Sequence, residues 1–139
     1  MQWVCGNRVL DLSKPLIMGI VNVTPDSFSD GGQHNSTASA IGHAMKLIAE
    51  GADILDIGGE STRPGAQDVS VDEELNRVIP VVEKLAQTGA IISVDTSKPE
   101  VMLQAMAAGA HIINDIRALQ LPGALEAAAS TNAGICLMH

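Results

Sequence analysis

GADILDIGG, residues 51–59, takes a small step, runs through apolar residues and exits onto polar ones, and the order returns three times. GAIISVDTS (89–97) and GAHIINDIR (109–117) repeat it, and AGICLMH (133–139) repeats it once more. An earlier run, PLIMGIVNVT (15–24), supplies a fifth apolar segment. None alternates strictly between polar and apolar, as a half-exposed strand must. All five read as strands of the buried type, covered on both faces, which is how parallel strands are placed.

The connections between them read as helices. Ser36 to Gly51 carries Ile41, Ala44, Leu47 and Ile48 on one face, with Gly51 as a C-terminal stop. Ser70 and Glu73 form a capping box, followed at helical spacing by Leu75, Val78, Ile79, Val82 and Leu85. Pro80 lies inside that helix and is expected to kink it, because it removes a backbone donor. Ser97 and Glu100 read as a second capping box, with Pro99 in the first turn and Met102, Ala105 and Met106 facing inward. A short Ala-rich helix spans about Gly123 to Ser130. Ahead of all this, WVCGNRVLDL (3–12) reads as a small hairpin turning at Gly6-Asn7. Strands alternating with helices imply right-handed parallel crossovers. Two architectures satisfy that order: a flavodoxin-like doubly wound sheet, or slightly more than half of an eight-stranded barrel.

Composition removes several classes of function. The 139 residues fit a single domain, 1–139, with 46% hydrophobic residues. A net charge of −8 with scattered basic residues argues against nucleic acid as a partner. No apolar run approaches the roughly 20 residues of a membrane span. The start, MQWVCGNRVLDL, lacks the basic and apolar parts of a signal peptide, so the expected location is the cytoplasm. Cys5 and Cys136 are isolated, which speaks against structural zinc and a disulfide framework, and Cys136 reads as a small buried hydrophobe. His34, His43 and His111 lack partners at ligand spacing and read as structural or surface residues.

Both architectures put their chemistry at the C-terminal ends of the strands. Those ends are Asn22, Asp56 to Gly65, Asp95-Thr96-Ser97, Asn114-Asp115 and His139. No nucleophile elbow, phosphate-binding P-loop or dinucleotide fingerprint is among them. Each residue also has a plain reading: Asp95 as a cap for the next helix, Asn114 as a partner for loose backbone groups, Asn22 as turn chemistry. Ser61-Thr62 reads as a polar loop or as an anion cradle, and Arg63-Pro64-Gly65 as a turn. A carboxylate and an amide at adjacent strand ends suit a flat heterocycle rich in donors and acceptors. TPDSFSDGG (24–32) is too long and elaborate for a turn.

MGIVNVTPDSFSDGG (18–32) followed by DIGGESTRPGA (56–66) resembles the dihydropteroate synthase family, and ISVDTSKPEV and GAHIINDI match it in the same order. The resemblance runs from about Lys14 onward and implies the N-terminal part, about five strands, of a (β/α)8 TIM-type barrel preceded by the hairpin. The family's later Asp, Lys and terminal Arg-x-His have no counterpart in these residues. Within the family pattern Asn22 would be the side-chain ligand to Mg²⁺, and Ser61 and Thr62 the diphosphate contacts. Asp95 and Asn114 would read the pterin edge, and Met138 would pack on its ring. Residues 24–32 would be a mobile lid that, with Arg63 and Pro64, forms a p-aminobenzoate pocket lined by Phe28. Asp30 would face the developing positive charge. The implied partners are pterin diphosphate and p-aminobenzoate, with the full-length enzyme a homodimer. Two other readings stay open: a pterin-dependent methyltransferase of the same superfamily, and a catalytically silent half-barrel.

Overall fold

The computed structural model describes residues 1–23, 32–60 and 69–138, the side chains of 32–35 excepted. Its elements are β1 (Gln2–Cys5), β2 (Arg8–Asp11), β3 (Met18–Asn22), α1 (Gly32–Ala49), β4 (Ile54–Gly58) and α2 (Val71–Ala86). They continue with β5 (Ile91–Asp95), α3 (Pro99–Ala108), β6 (Ile112–Asp115), α4 (Ala124–Ala129) and β7 (Gly134–Leu137).

β3 to β7 form one parallel sheet in chain order, β3-β4-β5-β6-β7. That order decides between the two architectures. A doubly wound sheet starts near its middle and reverses direction, whereas a barrel adds each strand beside the last. The molecule is a partial barrel. Its register sets Asn22 against Gly58, Gly58 against Asp95, and Asp95 against Asn114, so these strand ends lie at one level.

Strand alternation divides the apolar residues between two cores. Val21, Leu55, Ile57, Ile92, Val94 and Ile113 face the helices, where Ala44, Val78, Val82, Leu85, Val101 and Met102 cover them. On the concave face Ile54 and Ile112 pack with Cys5 and Leu10 of the hairpin, joined by Trp3, Met18, Ile91 and Cys136. The hairpin therefore plugs the N-terminal end of the barrel interior. It turns at Gly6-Asn7, with Gly6 at φ +61° as a two-residue turn with glycine first requires. Arg8 Nη1 ties it to the Gly89 carbonyl at 2.8 Å, and the Gly6 N–H donates to Asn132 O at 2.9 Å.

Gly134 is small because the hairpin leaves no room there. A Cβ at that position would stand 2.4 Å from Cys5 Sγ and 2.9 Å from Trp3 Cε2. Gly134→Ala should lower the unfolding free energy by about 1–3 kcal/mol, the usual cost of overpacking. An unchanged urea midpoint would show a looser seat.

Most helix expectations hold. Ser70 Oγ accepts the Glu73 N–H at 3.1 Å, and Val78, Val82 and Leu85 are buried. Val81 is buried instead of Leu75 and Ile79, which pack at the rim of the core, and α2 is continuous through Pro80. The second capping box is corrected. The N-cap of α3 is Lys98, with no side-chain cap, and Ser97 Oγ is drawn to Asp115 instead. Donating to a buried carboxylate turns that hydroxyl away from the helix N–H groups. Cys136 is half-buried against the hairpin. His111 is structural: its Nδ1 accepts the Ile92 N–H at 3.1 Å, which places any ring proton on Nε2, and burial lowers its proton affinity. His43 is exposed.

Candidate active site

Above the hairpin plug the concave face turns from apolar to polar. Going up β4 and β5 on that face, Ile54 gives way to Asp56 and Gly58, and Ile91 to Ser93 and Asp95. Asp56 is 2% exposed and Ser93 is fully buried. Asn114 Nδ2 donates to Asp56 Oδ2 at 3.1 Å. Asp56 Oδ1 and Ser93 Oγ have no hydrogen-bond partner among the described residues. Burial raises the proton affinity of Asp56, with Ser93 and Asn114 pulling the other way. A buried carboxylate oxygen without a well-formed hydrogen bond is costly in a finished interior, and it fits a surface made to meet a ligand's own donors.

Asp95 is the most perturbed group of this face. Burial, and then the nearby carboxylates Asp56, Glu74, Asp115 and Glu60, push it up to about 7. The ring of like charges makes its ionisation responsive to any cationic or donor-rich partner. Gly58 leaves the space beside it open: a Cβ there would stand 3.4 Å from both Asp95 Cβ and Oδ2.

The residues after Asp95 and Asn114 are firmly held. The Thr96 N–H donates to Asn114 O at 3.1 Å, and Ser97 Oγ donates to Asp115 Oδ1 at 2.5 Å. Asp115, fully buried, also accepts the Arg117 N–H at 2.8 Å and the Leu119 N–H at 2.9 Å. These bonds stabilise a turn in which Ala118 and Leu119 both adopt positive φ, +53° and +63°. For residues with a Cβ that conformation costs on the order of 1–2 kcal/mol each.

The structure thus brings together Asp95 and Asn114 and places Asn22, exposed, at the same level on the sheet. Asp95 does not cap α3, whose N-cap is Lys98. Met138 follows β7 and is 60% exposed, two residues beyond Cys136 and so on the concave side, its N–H on Asp115 O at 3.2 Å. Phe28, Asp30, Ser61, Thr62, Arg63 and Pro64, the expected lid apart from Gly32, which opens α1, and His139 all lie outside the described residues. Asp56 is among the polar strand ends of the sequence but has no role of its own there; the two-sided geometry of any strand sets it on the face of Gly58, opposite Leu55 and Ile57. Two cavities lined by described residues, of about 750 and 250 Å³, open at the other end of the strands, around the hairpin turn and the helix C-termini. Neither touches this polar face.

A sequence profile of the pterin-binding enzymes matches residues 18–139. The chain belongs to that family. Among curated relatives of this chain, the dihydropteroate synthase of Escherichia coli K12 is 66% identical over 131 residues. The match covers 94% of this chain and 46% of that protein. The Bacillus subtilis dihydropteroate synthase is 56% identical over 128 residues, 91% of this chain and 45% of its own length. Among solved structures, Xanthomonas albilineans dihydropteroate synthase with 4-aminobenzoic acid superposes with a TM-score of 0.92 at 59% identity. It is matched over 99% of this chain and 52% of that one. The chain spans about half the length of the relatives it matches.

Proposed function

We propose that these residues are the N-terminal part of a dihydropteroate synthase, which joins 6-hydroxymethyl-7,8-dihydropterin diphosphate to p-aminobenzoate, giving 7,8-dihydropteroate and diphosphate. The observation that carries the reading is the convergence of Asp56, Asp95 and Asn114 on one buried polar face at the strand ends, with acceptors left open. The named relatives support it, as does the Burkholderia cenocepacia dihydropteroate synthase complexed with 7,8-dihydropteroate, 49% identical with a TM-score of 0.87.

In this reading Asp95 accepts hydrogen bonds from the amino-pyrimidinone edge of the pterin, and Asn114 offers both an acceptor and a donor beside it. Met138 covers the ring. Thr62 and Ser61 take the diphosphate, while Phe28, Arg63 and Pro64 line the p-aminobenzoate pocket and Asp30 faces the charge that develops as diphosphate leaves. Asn22 suits Mg²⁺, because a hard ion that keeps its waters and shares phosphate oxygens needs only one or two protein oxygens. The described residues contain no cluster of three His, Cys, Asp or Glu that would hold a metal by themselves. The chemistry supplied by an ion held there would be neutralisation of the charge on the leaving diphosphate. The protein's part is orientation and fixed dipoles around a cation kept from water, with no covalent intermediate. No helix among the described residues is long and apolar enough to cross a membrane. The same reading makes the whole enzyme a cytoplasmic homodimer.

The test is direct. Supplied with both substrates and Mg²⁺, a full-length protein carrying these residues should form dihydropteroate, and the 139-residue chain alone should not. No product from the full-length protein would refute the function. Comparable turnover by the isolated chain would show that this half-barrel suffices.

A further inference from the structure

Behind the polar face lies a second cluster that none of the proposed substrate contacts uses. The Lys98 ammonium, at the N-cap of α3, bridges Glu60 Oε2 at 3.0 Å and Glu74 Oε1 at 2.7 Å. Glu74 projects from α2 and is 1% exposed. Its other oxygen accepts from Thr96 Oγ1, which itself accepts the Lys98 N–H at 3.2 Å. Glu60 Oε2 also accepts the Val69 N–H at 3.0 Å. With the Thr96 N–H on Asn114 O, the network links the ends of β4, β5 and β6 to the helix behind them.

Such a cluster is a poor source of stability. Desolvation of a buried pair consumes most of its attraction, and replacing both partners by neutral groups of like volume is often harmless. Burial works against the Lys98 charge, yet its bonds to Glu74 and Glu60 hold its proton affinity above the ordinary lysine range. What the network does supply is geometry. Thr96, the residue after Asp95, is fixed by three hydrogen bonds to three different elements.

We propose that Glu74 and Lys98 are positioning residues for the pterin site, acting through Thr96 to set the reach of the Asp95 carboxylate and its alignment with Asn114. The proposal rests on reading Asp95 and Asn114 as pterin contacts. Neither Glu74 nor Lys98 touches the ligand.

The experiment uses the full-length protein that carries these residues, calorimetric titration with 6-hydroxymethylpterin, and urea unfolding of each variant. The double variant Glu74→Met/Lys98→Met removes both charges, keeps the volume and takes away the acceptor of the Thr96 hydroxyl. Its urea midpoint should match or exceed that of wild type while its pterin Kd rises at least tenfold. Thr96→Val, which removes only the hydroxyl, should raise Kd by a similar factor. It decides the matter alone if the double variant does not fold. Asp95→Asn is the control for the reading beneath. Wild-type affinity in the Glu74/Lys98 and Thr96 variants, with Asp95→Asn impaired, overturns the positioning role and leaves the pterin reading standing. Affinity that falls only in step with the midpoint shows a structural role and overturns it as well. Undiminished binding by Asp95→Asn, or no binding by wild type, removes the pterin reading and the proposal with it.

Discussion

Asp115→Ala should cost about 3–5 kcal/mol of folding stability, the largest loss expected from any single side chain described above. The substitution takes away the acceptor of the Ser97 hydroxyl and of the Arg117 and Leu119 N–H groups at once. Ser97 is itself buried, so its hydroxyl has no ready access to water. The same change frees Ala118 and Leu119 from the bonds that offset their left-handed backbone. Urea unfolding reads the effect, and a loss below about 1 kcal/mol would mean that water replaces the carboxylate at little cost. Asp115→Asn should lose less, because one amide oxygen still accepts.

Asp95→Asn should do the opposite to stability while damaging the site. With its proton affinity raised to about 7, Asp95 is neutral in the folded chain over a range where the unfolded chain has already ionised it. Its favourable contribution is complete below the ordinary carboxylate range. It fades as pH rises through about 7, where the folded state must carry a charge among Asp56, Glu74, Asp115 and Glu60. The Asn variant escapes that loss. It should match wild type near pH 4 and exceed it above pH 7 by on the order of 1–2 kcal/mol, allowing for solvent screening of a group that is not wholly buried. Pterin affinity should fall ten- to a hundredfold in the full-length protein, since a hydrogen bond to a charged group contributes about 1.5–3 kcal/mol. Affinity for p-aminobenzoate should hardly change. Wild-type pterin binding should also strengthen from pH 6 to pH 8, as the carboxylate that accepts the ring's donors becomes populated. Calorimetry showing pterin affinity independent of both pH and the substitution would return Asp95 to a structural part. A gain in stability joined to a loss of binding is the mark of a residue kept for its chemistry.

The strands and helices were readable because local signals agreed with the fold: glycine steps before apolar runs, a capping serine at 70, and glycine at 51 and 109 where the backbone turns to positive φ. The choice between barrel and doubly wound sheet was not readable from periodicity. Both use the same strand and the same helix, and only the order of pairing separates them. Asp95 and Asn114 were legible as polar strand ends. The carboxylates that surround Asp95 were not, because Glu74 arrives from a helix and Glu60 from beyond a neighbouring strand. Ser97 shows the limit most plainly. Its spacing to Glu100 has the form of a helix cap, and only the fold brings Asp115 close enough to take the hydroxyl instead.

Neighbouring strands of the sheet are also neighbours in the chain, so β3 can pair with β4, and β4 with β5, as each emerges during synthesis. The hairpin is the exception. Its seat is made of Gly134, the Asn132 carbonyl and Ile112, residues translated more than a hundred positions after it. Its seat is therefore completed only once β7 has been made, although the hairpin lies ahead of β3 in the chain. Until then Trp3, Cys5 and Leu10 wait with their apolar side uncovered, and the interior beneath the polar face stays open to water.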